Sequence, residues 1–361
     1  MRVSVIRPGD LGEVELARWR VIQQADPAFD SPFLSPEFTR IVGDLRDHVR
    51  VAVLEEGSDV VGFFPFERHG LGVGKPVAAG LTDAQGAVFV KDVELDPPRL
   101  IKQCGLAVYE FNHLVDSQPL AAYGKHERYP SPIIDMRHGY EAYIQTIKET
   151  SGKTYRSTLY KARKLQRDIG PLHHDFATTS AEPLRTLLGW KSDQYRRTGI
   201  TDRFAHRWVV ELVERLHATR SESFAGVLDM MYVDGRPMAG HFGVRTSTTL
   251  GAWFPAYDTA FARYSPGLIQ HLAMAERSAE MGIVVIDMGR GESEYKDTLK
   301  TGEFTVVEGR VASAGARATA HWLMGFPARK ARAFVHANPR LRRTSVRARK
   351  TYGRLRTTVQ A

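Results

Sequence analysis

The stretch from Met238 to Leu299 gathers side chains able to do proton and anion chemistry. His241 is the first candidate base, because an unperturbed imidazole titrates near neutrality. A satisfied core histidine is the alternative, since Gly240 and Gly243 beside it suit tight packing. Asp258 either holds a substrate amine or hydroxyl or caps the turn after Tyr257. Asp287 ends the apolar run Ile283-Val-Val-Ile286, where a carboxylate is costly unless paired or facing solvent, so a cleft position is expected. Tyr295 and Lys296 follow a Gly-rich strand exit, where a hydroxyl and an ammonium can reach a substrate or simply begin a helix after Glu292-Ser293. Arg263-Tyr264-Ser265-Pro266-Gly267 supplies a cation, a hydroxyl and a proline-started helix, which suits a pyrophosphate. Trp253, Phe254 and Tyr257 suit sugar stacking or a core.

Placing these groups takes a run of strands and helices. Phe224–Val233 and Arg236–Arg245 flank Asp234-Gly235, a strong hairpin signal. Leu250–Asp258 continues the meander, a helix follows from Pro266, and a strand follows at Ile283. Upstream, Tyr140–Glu149, Ser151–Asp168, Glu182–Thr198 and Trp208–Leu216 read as helices. The helix over 151–168 carries Lys153, Arg156, Lys161, Arg163, Lys164 and Arg167, either a solvated face or a clamp for phosphates. In the first third, Val14, Leu16, Trp19 and Ile22 mark a helix, Ser35-Pro36 starts another, Val49–Leu54 and Val60–Phe66 form a hairpin, and Val108–Leu114 alternates as a strand. Tyr129-Pro-Ser-Pro132 is the expected linker, because each proline biases its predecessor towards extended backbone. The order predicts an α+β fold with a mixed sheet and three segments: 1–132, 133–314 and a tail, 315–361.

Composition removes several function classes. The chain has 361 residues, 43% hydrophobic and 25% charged, as expected for a folded protein of two domains. No apolar run is long enough to span a bilayer, and Met1–Asp10 lacks the apolar core of a secretion signal, so a cytoplasmic address is expected. The single cysteine, Cys104, excludes an intrachain disulfide and a multi-cysteine zinc site, and reads as a small buried residue. No His/Cys cluster has metal-ligand spacing, so no metal is expected. His69-Gly-Leu-Gly-Val-Gly-Lys-Pro76 has the wrong spacing for a nucleotide-triphosphate loop, and Pro76 stands where Ser or Thr would hold the ion; a Gly-rich turn is expected. The net charge of +9 is local: residues 315–361 hold ten Arg and two Lys with no Asp or Glu, leaving −3 for the rest. Such a tail, with Trp322, Leu323, Phe326 and Phe334 among its cations, suits an anionic membrane surface or a nucleic acid, or is a solubilising extension.

Trp190-Lys191 with Gln194 and Arg197-Thr-Gly199, Gly240-His-Phe-Gly243, Trp253-Phe-Pro-Ala-Tyr-Asp258, Tyr264-Ser-Pro-Gly267, Asp287-Met-Gly289 and Tyr295-Lys296 occur here in that order. The set resembles the bacterial CelD/BcsL family of cellulose biosynthesis, acetyltransferase-like proteins of the Gcn5-related N-acetyltransferase (GNAT) superfamily close to the FemABX aminoacyl transferases. Ser35-Pro36, Gly62-Phe-Phe-Pro-Phe66 and Asp83-Ala-Gln-Gly86 extend it loosely into the first domain. It implies tandem GNAT-like domains, each a mostly antiparallel sheet flanked by helices, the second holding acetyl-CoA or another acyl-CoA. Arg263, Tyr264, Ser265, Gly267 and Lys296 would then bind the coenzyme, and His241, Asp258 and Tyr295 would be catalytic. Trp190, Lys191, Trp253, Tyr257 and Asp287 would receive the acceptor. The sequence departs from the superfamily in that Gly267 stands alone where further glycine-spaced positions are usual. The reaction implied is acyl transfer to an amine or hydroxyl of a cell-envelope saccharide or precursor. A FemABX-like transfer from aminoacyl-tRNA, with the basic helix on nucleic acid, is the second reading; a silent scaffold docking through its tail is the third.

Overall fold

Apolar residues at strand and helix periods build one sheet flanked by helices. The computed structural model describes residues 1–124, 126–291 and 293–313, so the expectations for the basic tail lie outside the described residues. Six strands come first: β1 (Arg2–Ile6), β2 (Val49–Glu56), β3 (Asp59–His69), β4 (Val73–Lys75), β5 (Val88–Phe89) and β6 (Val108–Val115). Seven follow: β7 (His126–Asp135), β8 (Leu172–Phe176), β9 (Ala225–Val233), β10 (Arg236–Arg245), β11 (Thr249–Tyr257), β12 (Val285–Asp287) and β13 (Gly302–Ala312). The helices are α1 (Glu13–Ala25), α2 (Pro36–Leu45), α3 (Pro97–Gln103), α4 (Tyr140–Asp168), α5 (Ala181–Thr198), α6 (Arg207–Ala218), α7 (Pro266–Glu280) and α8 (Glu294–Leu299).

Local signals explain most of these elements. Asp234 (φ 49°) and Gly235 (φ 72°) both take positive φ, the requirement of the two-residue turn joining β9 to β10. Leu16, Trp19 and Ile22 bury one face of α1, while Val14, expected with them, is exposed. Ser35 precedes α2 as expected, but its hydroxyl accepts from Gln23 Nε2 instead of capping the helix. The two helical segments expected over 140–168 join into α4 across a non-helical Ser151 (φ −134°). The Gly-rich segment after His69 becomes a short turn and β4. Cys104 is buried at the end of α3, and burial pushes its thiol up to about 12.

The strands form a single sheet in the order β1-β2-β3-β4-β6-β13-β7-β12-β11-β10-β9-β8, with β5 added on β3. The last strand in the chain, β13, lies near the middle and pairs antiparallel with β6 on one side and β7 on the other. The expected linker Tyr129–Pro132 is part of β7. The ladder tolerates its prolines because Pro132 turns its carbonyl, and hence its missing N–H, away from β13; that oxygen accepts from Met288 N. Tyr129, Ser131 and Ile133 face the other way and serve the β13 ladder.

The apolar core is continuous across the two halves. One cluster contains Trp19, Phe33, Phe38 and Phe63 from the first half and Leu187, Leu212, Phe242 and Trp253 from the second. Separate clusters fill the opposite face, around Tyr109 in the first half and around Ile144, Met274 and Ile286 in the second. Among the described residues, no helix is long and apolar enough to cross a membrane.

Candidate active site

β11 and β12 run parallel for only three residue pairs, ending at Gly251↔Asp287. Beyond that point β11 continues to Tyr257 with only β10 beside it, so its other edge opens. Lys191 on α5 donates from Nζ to the Pro255 carbonyl of this extension (2.8 Å). The first turn of α7 stands at the far end, where Tyr257 Cδ1 lies 3.9 Å from the place a side chain on Gly267 would occupy. Ser265 enters α7 in the left-handed region (φ 56°), and its hydroxyl accepts from Lys161 Nζ of α4 (2.8 Å). A hydroxyl and an ammonium thus meet at a positive helix end, a combination that favours a phosphate.

A cleft of roughly 1310 Å³ lies between the halves near the end of the β11–β12 pair, with Asp83, Ser131 and Asp287 in its lining. Carboxylates dominate: Asp30, Glu37, Asp83, Asp116, Glu222 and Asp287 line it against the guanidiniums of Arg20 and Arg137. Both arginines are paired, Arg20 with Glu37 (2.6 Å) and Arg137 with Asp135 (2.5 Å). The cleft is therefore suited to a cation.

Asp83 and Asp287 make the centre of a titratable cluster. Burial, reinforced by the nearby Asp287 carboxylate, raises Asp83 to about 7. Asp287 is also raised by burial, although it accepts from Ser131 Oγ (3.1 Å) and Gly289 N (2.9 Å). Lys296 opposes both shifts and is anchored by donating to Gly289 O (2.8 Å). His113 Nε2 lies 3.8 Å from Asp83 Oδ1; burial, then Arg290, lowers this imidazole to about 4. Gly289 permits the approach of Asp83: a Cβ there would stand 2.9 Å from the Asp83 carboxyl carbon, and its φ is 72°. Gly289→Ala is expected to lower stability by about 1–2 kcal/mol from the left-handed backbone alone, with a further loss as Asp83 is displaced. A urea denaturation midpoint equal to wild type would refute this.

Beside this cluster, β10, α7 and α8 bring three rings into line. His241 and His271 have centroids 6.0 Å apart, and His271 and Tyr295 are 5.1 Å apart. His271 Nδ1 donates to Gly267 O (2.7 Å). Burial lowers His271 to about 4 and raises Tyr295 to about 12, so the phenol keeps its proton at neutral pH. Burial likewise lowers Lys191 to about 8.

Residues 153–297 match the family model described as acetyltransferase (GNAT) domain. This segment is similar to a GNAT domain. No curated protein gives a significant sequence match. Among solved structures the chain is similar to FemX, at 10% identity with a TM-score of 0.56, covering 86% of this chain and 96% of that one. It is also similar to the C-terminal DUF2156 domain of a provisionally named lysylphosphatidylglycerol synthetase from Agrobacterium fabrum, at 12% identity and a TM-score of 0.52, covering 86% and 94%. A tandem GNAT protein of the clavulanic acid biosynthesis pathway aligns at 9% identity with a TM-score of 0.49, covering 87% and 100%. The likenesses to FemX and to the DUF2156 domain support the fold.

Within the GNAT-like segment the expected site residues divide. Lys191, His241, Asp287, Tyr295 and Lys296 lie in or against the titratable cluster. His241 is fully buried and absent from the cleft lining, neither ring nitrogen finds a partner among the described residues, and burial holds it well below its usual range. A base exchanging protons with a substrate needs access that this position lacks. Asp258 caps the turn after β11, accepting from Ala260 N (2.9 Å), which is the structural alternative. Tyr264 is a core residue whose hydroxyl donates to Asp168 (2.7 Å), while Arg263 lies over its ring and donates to the same oxygen (2.6 Å). Both are engaged in this Asp168 network, whereas Ser265 and Gly267 do form the helix entrance. Trp253 is packed in the shared core with its indole N–H on Leu81 O (2.7 Å), and Trp190 packs on the same core. Tyr257 remains exposed at the end of the opened edge.

Asp83, His113 and His271 were missed. Asp83 lies in an aperiodic loop of the other half, and only the resemblance of Asp83-Ala-Gln-Gly86 pointed towards it. The expectation of no metal rested on linear spacing, which overlooks His48, Glu67 and His69; these meet where the chain enters β2 beside the end of β3.

Proposed function

We propose that the protein is an acyl-CoA-dependent acyltransferase acting on an amine or hydroxyl of a cell-envelope saccharide or precursor, as the resemblance to the CelD/BcsL family suggests. The observation carrying this reading is the edge of β11 opened past Gly251, which runs from the Asp83–Asp287 cluster to the Lys161–Ser265 helix entrance. The coenzyme would supply an acyl group activated as a thioester, with its phosphates at the α7 entrance. The carboxylate-rich cleft attracts a protonated amine and favours amine over hydroxyl as the acceptor. The bound ammonium first gives one proton to solvent, which frees the lone pair; Asp83, titrating near 7, takes the second proton as the nitrogen bonds to the acyl carbon. The carbon–sulfur bond then breaks, and a protonated donor must meet the thiolate; the Tyr295 phenol retains its proton for that step.

Isothermal titration of the full chain with acetyl-CoA tests the reading. Lys161→Ala is expected to weaken binding about tenfold, the loss of one charge-assisted bond. No heat of binding from folded wild type overturns the proposal.

Transfer from aminoacyl-tRNA is the second reading. Lys153, Arg156, Arg163 and Arg167 are exposed along α4, and FemX shares the fold. Salt-sensitive tRNA binding by a chain ending at residue 313, with no acetyl-CoA binding, would favour it.

A further inference from the structure

A second group of titratable side chains lies in the first half, at the end of the β2–β3 hairpin. Glu67 and His69 alternate on β3 and so share a face, and His48 joins them from the residue before β2. The register Val49↔Glu67 and the bond from Arg68 N to His48 O (2.9 Å) fix the three side by side. Glu67 Oε2 is 3.2 Å from His48 Nε2 and 3.1 Å from His69 Nε2, and the three candidate ligand atoms all lie within 4.8 Å of one another.

The other carboxylate oxygen is already oriented. Glu67 Oε1 accepts from Ala78 N (3.0 Å) and from Arg46 Nε (3.2 Å), while Arg46 lies 4.3 Å over the Trp208 ring. Fixing the outer oxygen in this way turns Oε2 towards the two imidazoles, the service that outer hydrogen bonds give a metal-bound carboxylate. Glu67 is 2% exposed, whereas the histidines are about one-third exposed, so one side stays open to an ion and a water.

The hydrogen bonding without an ion is internally frustrated. Arg46 Nη2 is 2.8 Å from His48 Nε2, so that nitrogen must present a lone pair to accept from the guanidinium. The same nitrogen faces Glu67 Oε2, to which it must instead donate. One ring nitrogen cannot do both.

We propose that His48, Glu67 and His69 form a site for a first-row divalent cation, with zinc as its probe, and that this ion fixes the hairpin end beside α6. Two imidazoles and one carboxylate at bond lengths of about 2.0–2.2 Å, with a fourth position for water, make a donor set zinc accepts. Arg46 keeps Oε1 and turns from the His48 nitrogen; its positive charge weakens the site. No redox step or role in acyl transfer is involved.

The test uses the full chain stripped by a chelator and titrated with Zn²⁺ by calorimetry, with Co²⁺ absorbance reporting the ligand field. Wild type is expected to take up one equivalent with a low-coordinate cobalt spectrum. His48→Ala and His69→Ala should each weaken that binding at least about tenfold, and Arg46→Gln should tighten it by lifting the repulsion. Circular dichroism checks folding, and the Arg46 variant adds a direction that misfolding does not mimic. Absence of stoichiometric uptake in wild type, or affinity unchanged in the two histidine variants, overturns the proposal.

Discussion

Asp83→Asn is expected to reduce acyl transfer by about 10²- to 10⁴-fold, the range for loss of a positioned general base. The fold should survive. Thiol release from acetyl-CoA in the presence of an amine acceptor is the measurement, and the limb of the pH profile near 7 should disappear with the activity. Turnover within threefold of wild type would remove Asp83 from the role. The same variant carries a stability prediction of the opposite sign. The folded carboxyl titrates near 7 and its ordinary value is 3.8, so between these values the native state binds more protons than the unfolded state. Wild-type stability from this group is therefore present in acid and lost as the pH rises through about 7. The asparagine variant should gain on wild type progressively from pH 4 to pH 8 in urea denaturation.

Trp253→Ala should be among the most destabilising single changes, costing about 3–5 kcal/mol by the measure of large aromatic truncations. Trp253 stacks on Phe254 with centroids 4.6 Å apart and meets Phe33 and Phe38 edge to face, so its removal opens a cavity between the halves. It also leaves the Leu81 carbonyl without the indole donor. Because its neighbours come from both halves, tryptophan fluorescence and far-UV dichroism should report one shared unfolding transition, moved to lower urea. Two separated transitions in wild type would contradict that coupling.

The GNAT-like part of the fold was legible because its signals are local. Asp234-Gly235 demands a tight hairpin, the proline at 266 opens a helix, and Ile283–Ile286 reads as a short buried strand, so the segment 238–299 could be traced from neighbours alone. The site was only partly legible because its geometry is non-local. Asp287 ends an apolar strand and so announced itself, but Asp83 reaches it from the other half, and no periodicity marks such a meeting. Trp253 and Tyr264 misled for the converse reason: aromatic and hydroxyl groups near a strand end look alike in sequence whether they face a cleft or a core. The prolines of β7 misled because a linker and a strand with one unserved edge satisfy the same backbone preference.

The position of β13 also sets an order of events during synthesis. Its seat between β6 and β7 stays vacant until residues 302–312 leave the ribosome, after every other described strand has emerged. Until then the nascent chain has two unpaired strand edges facing one another across a gap, each a template for a neighbouring polypeptide. The N-terminal strands can pair among themselves, but β6 and β7 are joined only through this last strand, so the sheet becomes continuous in a late step. Chains cut before residue 302 should consequently accumulate as aggregates instead of as a soluble first half.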